Sequence, residues 1–178
     1  MKLRDKKVLL RPIKLTDASR FVKWFNDPEV HKFLARRKLT LKEERAWIKS
    51  IPKVKDSLHF CIDTREGLHI GSVGLNNINR LDGYATFGIM IGDKHYWGQG
   101  YGCEAMQLII DYGFRHFKLH RIELEVYSYN LRGIKLYKRL GFKLEGRKRQ
   151  RIKWGSRYYD ALQMGLLRPE WLKSTRRS

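Results

Sequence analysis

Three glycines sit at every second position in the stretch Tyr96-Trp97-Gly98-Gln99-Gly100-Tyr101-Gly102. It lies between a strand-like run and a helix-like run. Glycines at that spacing let the backbone turn tightly and come close to a ligand. Their N–H groups, with the N-terminus of the following helix, form a ready site for an anion such as a pyrophosphate. No Gly-Lys-Ser/Thr follows, so this is not a nucleoside-triphosphate loop. Cys103 breaks the G-x-G-x-x-G spacing of a dinucleotide fingerprint. A strand-to-helix turn with no ligand uses glycine in the same way, so the loop alone leaves both readings open.

Asn130, Ile134 and Tyr137 fall at i, i+4 and i+7 and share one face of a short helix. A phenol titrates near pH 10, so Tyr137 stays protonated at neutral pH and can donate to a departing anion. A tyrosine packed into the core fits the same pattern. Proton acceptors are harder to single out. Glu123, Glu125, Asp160 and His59 are the candidates, with a water chain as the alternative. Glu104 reads as a first-turn carboxylate favoured by the helix dipole. His31, His69, His95, His116 and His120 show no metal-ligand spacing, and no metal is expected.

The elements that must hold these residues follow from patterning. Val8 to Ile13 reads as a strand that Pro12 confines to an edge or an end. Thr16-Asp17 can cap a helix running to about Phe25, stopped near Pro28. Thr40 with Glu43 forms a capping-box pattern for a helix over Leu41 to Ser50, ended by Pro52. Leu58 to Asp63 and His69 to Leu75 flank the turn Arg65-Glu66-Gly67. Asp82-Gly83 leads into a strand over Tyr84 to Ile91. Met106, Ile109, Ile110, Phe114 and Phe117 form a helical stripe after the glycine loop. Ile122, Leu124 and Val126 alternate with Arg121, Glu123 and Glu125, the pattern of a half-exposed strand. Asn130 caps a short helix that Gly141 ends. Strands over Phe142 to Trp154 and Arg157 to Leu166 close the chain through Gly155-Ser156. The order is strand, two helices, three strands, helix, strand, helix, two strands. That is an α/β chain, expected as a single domain over residues 1–178. Trp24, Trp47, Trp154 and Trp171 read as core or edge packing.

Composition bounds the function. The chain has 178 residues, 42% of them hydrophobic and 31% charged, which suits a folded domain and not a disordered one. No run of 18 apolar residues and no signal-peptide core occurs. Cys61 and Cys103 lie far apart and read as free thiols of a reducing cytoplasm. Lys and Arg number 38 against 18 Asp and Glu, a net +20 that favours anionic partners or serves only as a solvated surface. The densest basic stretch is Arg147, Lys148, Arg149, Arg151, Lys153 and Arg157.

The segment from Ile89 to Ala105 closely resembles the acetyl-CoA loop of the GNAT superfamily of N-acetyltransferases. The loop's usual form, Arg/Gln-x-x-Gly-x-Gly/Ala, maps onto Trp97, Gly98, Gln99, Gly100, Tyr101 and Gly102, with Trp97 departing from the Arg/Gln. Trp97 is found there in many members of the ribosomal-protein and spermidine acetyltransferase branch. Asn130 to Phe142 is similar to the family's Asn-x-x-(small)-x-x-x-Tyr-x-x-x-Gly-Phe segment. Leu9-Leu10-Arg11-Pro12 with Asp17, and Gly155 to Asp160, match the family's beginning and end. The four matches stand in order from residue 8 to about 172.

The resemblance implies a mixed, mostly antiparallel central sheet with flanking helices and a splayed strand at the acetyl-CoA site. It implies acetyl-CoA as cosubstrate, bound by Ile89, Met90, Ile91, Trp97, Gly98, Gln99, Gly100, Tyr101, Gly102, Asn130 and Arg132. Asn130 is expected on the pantetheine arm and Tyr137 beside the sulfur as general acid. Many relatives carry Glu in an Ala-Glu-x-Gly stretch before the loop. Here that stretch is Ala85-Thr86-Phe87-Gly88, with Thr86 in the carboxylate's place. Ribosomal-protein acetyltransferases carry an acidic residue near the position of Arg151. The expected acceptor is a protein or peptide N-terminal amine. A small amine (a polyamine or amino sugar) is the second reading, for which Glu29, Glu43 and Glu44 could supply acidic groups. A non-catalytic RNA-binding or ribosome-binding module is the rival class. Expected partners are acetyl-CoA, the acceptor, RNA or a ribosome through the basic surface, and a second copy of the chain, with no membrane.

Overall fold

The computed structural model describes residues 2–34 and 38–175. Its strands are β1 (Leu3–Arg4), β2 (Val8–Pro12), β3 (Leu58–Thr64), β4 (His69–Asn79), β5 (Tyr84–Ile91), β6 (Arg121–Tyr127), β7 (Lys143–Trp154) and β8 (Arg157–Leu167). Its helices are α1 (Ala18–Asn26), α2 (Pro28–His31), α3 (Leu41–Ser50), α4 (Tyr101–His116), α5 (Leu131–Arg139) and α6 (Arg168–Thr175). Hydrogen-bonded neighbours follow the order β1-β2-β3-β4-β5-β6-β8-β7. The sheet is mixed and mostly antiparallel; β5 and β6 run parallel. Two compact units result, Met1–Asn76 with Gly88–Ile109 and Asn77–Phe87 with Ile110–Ser178.

In the first unit, Ala18, Phe21 and Trp24 of α1 form a core with Val30, Ile48, Cys61 and Met90. Apolar burial of this kind is the main stabilising term, about 25 cal/mol for each Å² removed from water. The capping box of α3 forms as its residues dictate: Thr40 Oγ1 accepts from Glu43 N–H at 3.3 Å, and the Glu43 carboxylate accepts from Thr40 N–H at 2.9 Å. Pro12 closes β2, and a 3₁₀ turn at Ile51–Lys53 follows α3. Gly92 is dictated by packing, because a Cβ there would lie 2.1 Å from the Trp24 ring.

In the second unit, Ile122, Leu124 and Val126 are buried on one face of β6, as their alternation predicts. Ile110 and Phe114 of α4 are fully buried, and Phe114 lies 6.4 Å from Trp171 by ring centroids. Gly141 carries φ +94° at the end of α5, a left-handed position that glycine adopts without steric cost. Trp24 and Trp171 are buried, while Trp47 and Trp154 are exposed by more than a third.

Four features depart from the expected elements. A short β1 precedes β2. The first helix ends at Asn26, and Asp27 caps a separate α2 that has Pro28 at its start. Strand β4 runs to Asn79 and not Leu75: Asn77 takes φ +50°, after which Ile78 is again buried. Asn tolerates that conformation, so a polar pair that reads as a loop is a local irregularity within the strand. Helix α6 carries almost no amphipathic signal; it is held by Trp171 and by Glu170, which accepts from Leu167 N–H at 3.1 Å.

Candidate active site

The parallel ladder of β5 and β6 has three rungs, Tyr84↔Arg121, Ala85↔Ile122 and Thr86↔Glu123. Beyond Thr86, β5 continues to Ile91 without a registered partner on β6. This is the splayed strand expected before the glycine loop.

The glycine loop follows in the first unit. Gly98 and Gly100 have φ of +77° and +90°, so both conformations favour glycine. Gly102 lies within the first turn of α4 at no such φ, and an added Cβ would meet Ile91 at an ordinary 3.5 Å. Trp97 turns back from the loop: its indole N–H donates to the Ile91 carbonyl at 2.7 Å, and its ring packs on the core with Phe33 6.3 Å away. What Trp97 offers a ligand is therefore its backbone. The Tyr101 ring stacks edge-on against Tyr96 at 5.1 Å, and the Gln99 amide donates to the His95 carbonyl. Side chains of the loop thus bond back onto its own segment, and Gly98, Gln99 and Gly100 are exposed.

Glu104 does more than complement the helix dipole. Its Oε1 accepts from Lys7 N–H at 2.5 Å and from Val8 N–H at 3.0 Å, which ties the start of β2 to the first turn of α4. The Lys7 ammonium then donates to the Gln99 carbonyl at 3.0 Å. These residues are 92 to 97 positions apart, and no local pattern in the sequence reveals the pairing.

In the second unit, Asn130 caps α5, its Oδ1 accepting from Gly133 N–H at 3.0 Å. The cap explains the small residue in this segment, since a Cβ on Gly133 would lie 2.8 Å from the Asn130 amide. Arg132, one residue into the helix, is exposed. The Tyr137 ring lies 6.4 Å from Phe87 and 6.1 Å from Phe142. Burial pushes its phenol up to about 12, so it remains a proton donor throughout the physiological range. No described residue hydrogen-bonds its hydroxyl.

The proposed proton acceptors are each engaged. Glu125 pairs with Lys148 at 2.8 Å. Asp160 accepts from Arg147 at 3.0 Å and from Gln150 N–H at 2.8 Å, where Gln150 has φ +50°. It thereby stabilises a bulge of β7. His59 stands edge-on to Trp47 at 5.2 Å. Glu123 accepts from Arg121 Nε at 3.0 Å through Oε2, while the Arg121 guanidinium bridges to Glu145.

A buried charged cluster sits elsewhere in the first unit. Arg11 spans both oxygens of Asp17 at 2.8 and 2.9 Å and reaches Asp63 at 2.6 Å. Cys61 Sγ donates to Asp17 at 3.3 Å, and His69 Nδ1 lies 3.5 Å from it. Burial pushes the Asp17 carboxyl up, but the Arg11 hydrogen bond, the Lys14 N–H and the Arg11 charge draw it down to about 2. Burial also pushes the Cys61 thiol up and the His69 imidazole down. Asp17, Cys61 and His69 could be mistaken for metal ligands, since their donor atoms lie within 4.8 Å of one another. Arg11 already occupies both oxygens of Asp17, so that carboxylate is engaged in an ion pair.

Comparison with known proteins gives the chain's family. Residues 7–143 match the family described as acetyltransferase (GNAT) domain. An uncharacterized N-acetyltransferase of Bacillus licheniformis, p20, is 34% identical over 95% of this chain and 97% of its own length. A spermidine N(1)-acetyltransferase of Escherichia coli is 32% identical over 60% of this chain and 57% of its own. The crystal structure of a spermidine N-acetyltransferase from Vibrio cholerae, in complex with CoA and spermine, superposes with a TM-score of 0.87. That chain is 25% identical, over 94% of this chain and 99% of its own.

Proposed function

The chain belongs to the acetyltransferase (GNAT) domain family, and on that premise we propose that it acetylates the N-terminal amine of a protein or peptide bound near RNA. The reaction itself, N-acetyl transfer from acetyl-CoA, is that of the family and of its named relatives. We read the two compact units as one acetyltransferase domain, because the family match spans both. Two free cysteines fit action in the cytoplasm.

The cosubstrate supplies an activated thioester; the chain supplies position, charge and protons. In this reading Gly98, Gln99, Gly100, Tyr101 and Gly102, with the Trp97 backbone, hold the pyrophosphate through N–H groups. Ile89, Met90 and Ile91 pair with the pantetheine amides, and Asn130 and Arg132 contact the same arm. The amine attacks the thioester carbonyl in its neutral form. Tyr137 gives its proton to the departing thiolate. Glu123 takes the amine's proton, directly or through one water. It stands opposite Thr86, on the last rung before β5 leaves β6, and Arg121 holds only one of its oxygens.

Charge carries the choice of acceptor. Arg149 and Arg151 are exposed on β7 with no carboxylate partner among the described residues. The acidic groups that a polycation would need are committed: Glu29 pairs with Lys94, Glu43 serves the α3 cap, and Glu44 is buried. A +20 chain repels a polyamine and attracts an acceptor set among phosphates. A small-molecule amine is the second reading, favoured by the likeness to two spermidine acetyltransferases. Labelled acetyl-CoA offered with peptides bearing free N-termini, polyamines and amino sugars separates them. Label is expected in the peptides. Label in spermidine alone would overturn the protein acceptor and leave the second reading.

A further inference from the structure

We propose that Lys7 is the cation of the cosubstrate site, and that its ammonium binds the pyrophosphate of acetyl-CoA alongside the glycine loop. This rests on the reading of that loop as the acetyl-CoA site and adds a residue to it from the far end of the chain.

The loop has an electrostatic gap. From Trp97 to Gly102 it contains no charged side chain, and the first charge of the following helix is Glu104, a carboxylate. Backbone N–H groups and the dipole of the sixteen-residue α4 favour an anion. A pyrophosphate, with a full charge on each phosphate, calls for a neighbouring cation as well. The basic residues just before the loop are committed elsewhere. Lys94 bridges to Asp27 at 2.9 Å and to Glu29, and His95 faces Asp93 at 3.0 Å.

Lys7 fills the gap. Its ammonium donates to the Gln99 carbonyl at 3.0 Å and stands 5.7 Å from the centre of the Tyr101 ring. A Cβ on Gly100 would lie 3.9 Å from it. An ammonium has three N–H donors, and Gln99 takes one. The side chain is exposed, so the other two are open to a ligand lying on the loop. Its position is imposed from the backbone side: Glu104 Oε1 accepts the N–H groups of Lys7 and Val8, which fixes where the side chain departs. The same bonds spend one oxygen of Glu104 on β2, which lessens its repulsion of an incoming phosphate.

Calorimetric binding of CoA, 3′-dephospho-CoA and pantetheine to the whole chain tests this without any turnover. Lys7→Ala removes only the side chain, so the Glu104 contact and the melting temperature are expected to persist. Its Kd for CoA should rise about tenfold or more, the weight of one charge-assisted hydrogen bond. The rise should be equal for 3′-dephospho-CoA and absent for pantetheine, and Lys7→Arg should recover most of the affinity. A deficit confined to CoA would assign Lys7 to the 3′-phosphate and overturn the pyrophosphate contact. Unchanged affinity in Lys7→Ala, with affinity lost in Gly100→Val, would refute Lys7 and leave the loop reading standing. No CoA binding by the unsubstituted chain would remove the loop reading and this inference with it.

Discussion

Thr86 and Glu123 face each other on the last rung of the parallel ladder between β5 and β6. Paired residues of parallel strands project to the same side of the sheet, so Glu123 carries its carboxylate beside the place Thr86 occupies. In many of the resembling enzymes a glutamate stands at the Thr86 position. Here the carboxylate is one strand over, held through one oxygen by Arg121 at 3.0 Å.

Glu123→Gln should therefore lower kcat/KM on the order of 10²-fold, the span of a positioned general base. A purely structural Glu123 would show its loss in melting temperature. The sharper measurement is the double variant Thr86→Glu with Glu123→Gln, which returns the carboxylate to β5. Recovery of rate is expected there; no recovery, with the fold intact, would remove Glu123 from the chemistry.

Much of this arrangement is legible in the sequence, and the parts that are not share one cause. The α3 cap, the α5 cap at Asn130, the β6 alternation and the α4 stripe are local patterns, and each forms where its residues place it, save that Phe117 of the stripe lies beyond the end of α4 and is only half-buried. The contact of Lys7 with Gln99 and the rung between Thr86 and Glu123 join residues 92 and 37 positions apart, so only the assembled sheet reveals them. Asn77 misleads for another reason: its left-handed conformation lets an unfavourable strand sequence continue to Asn79. Trp97 matches the loop motif by position, yet its indole serves the Ile91 carbonyl.

Acid should weaken the fold through the Arg11–Asp17 pair. The folded Asp17 carboxyl titrates at about 2, below its ordinary 3.8. Its contribution is thus present above pH 3.8 and is lost as pH falls through about 2, a term on the order of 2 kcal/mol. His69, whose imidazole burial holds down, acts in the same direction, since the unfolded chain takes up its proton first. Urea unfolding of Asp17→Asn should show a loss on the order of 2 kcal/mol near pH 7, because Arg11 then keeps Asp63 as its one charged partner. The gap to the unsubstituted chain should narrow between about pH 4 and pH 2. A constant gap would mean that Asp17 does not titrate with folding.

The basic hairpin is expected to capture the acceptor and not to serve the chemistry. Arg147 and Lys148 have carboxylate partners, whereas Arg149 and Arg151 have none among the described residues. Reversing both of the latter to Glu should raise the acceptor KM several-fold and flatten its dependence on salt, with kcat little changed. An equal KM in the two forms, with a peptide acceptor presented on RNA, would show that the patch is only a solvated face.

Tyr137 is expected to carry the proton to the departing thiolate. Its ring is held by Phe87 and Phe142, and its phenol is pushed up to about 12 by burial, so it donates across the working pH range and adds no basic limb below about pH 10. Tyr137→Phe keeps both ring contacts and removes only the hydroxyl, for which no described residue provides a hydrogen bond. Melting temperature and CoA affinity should therefore change little. The loss should fall on kcat, on the order of 10²-fold, and less if the thiolate leaves readily without a proton. Measured where chemistry limits the rate, a near-full kcat in this variant would refute the acid role. Tyr137 would then be a residue that fills space between β5 and the end of α5, and its raised phenol only the mark of its burial.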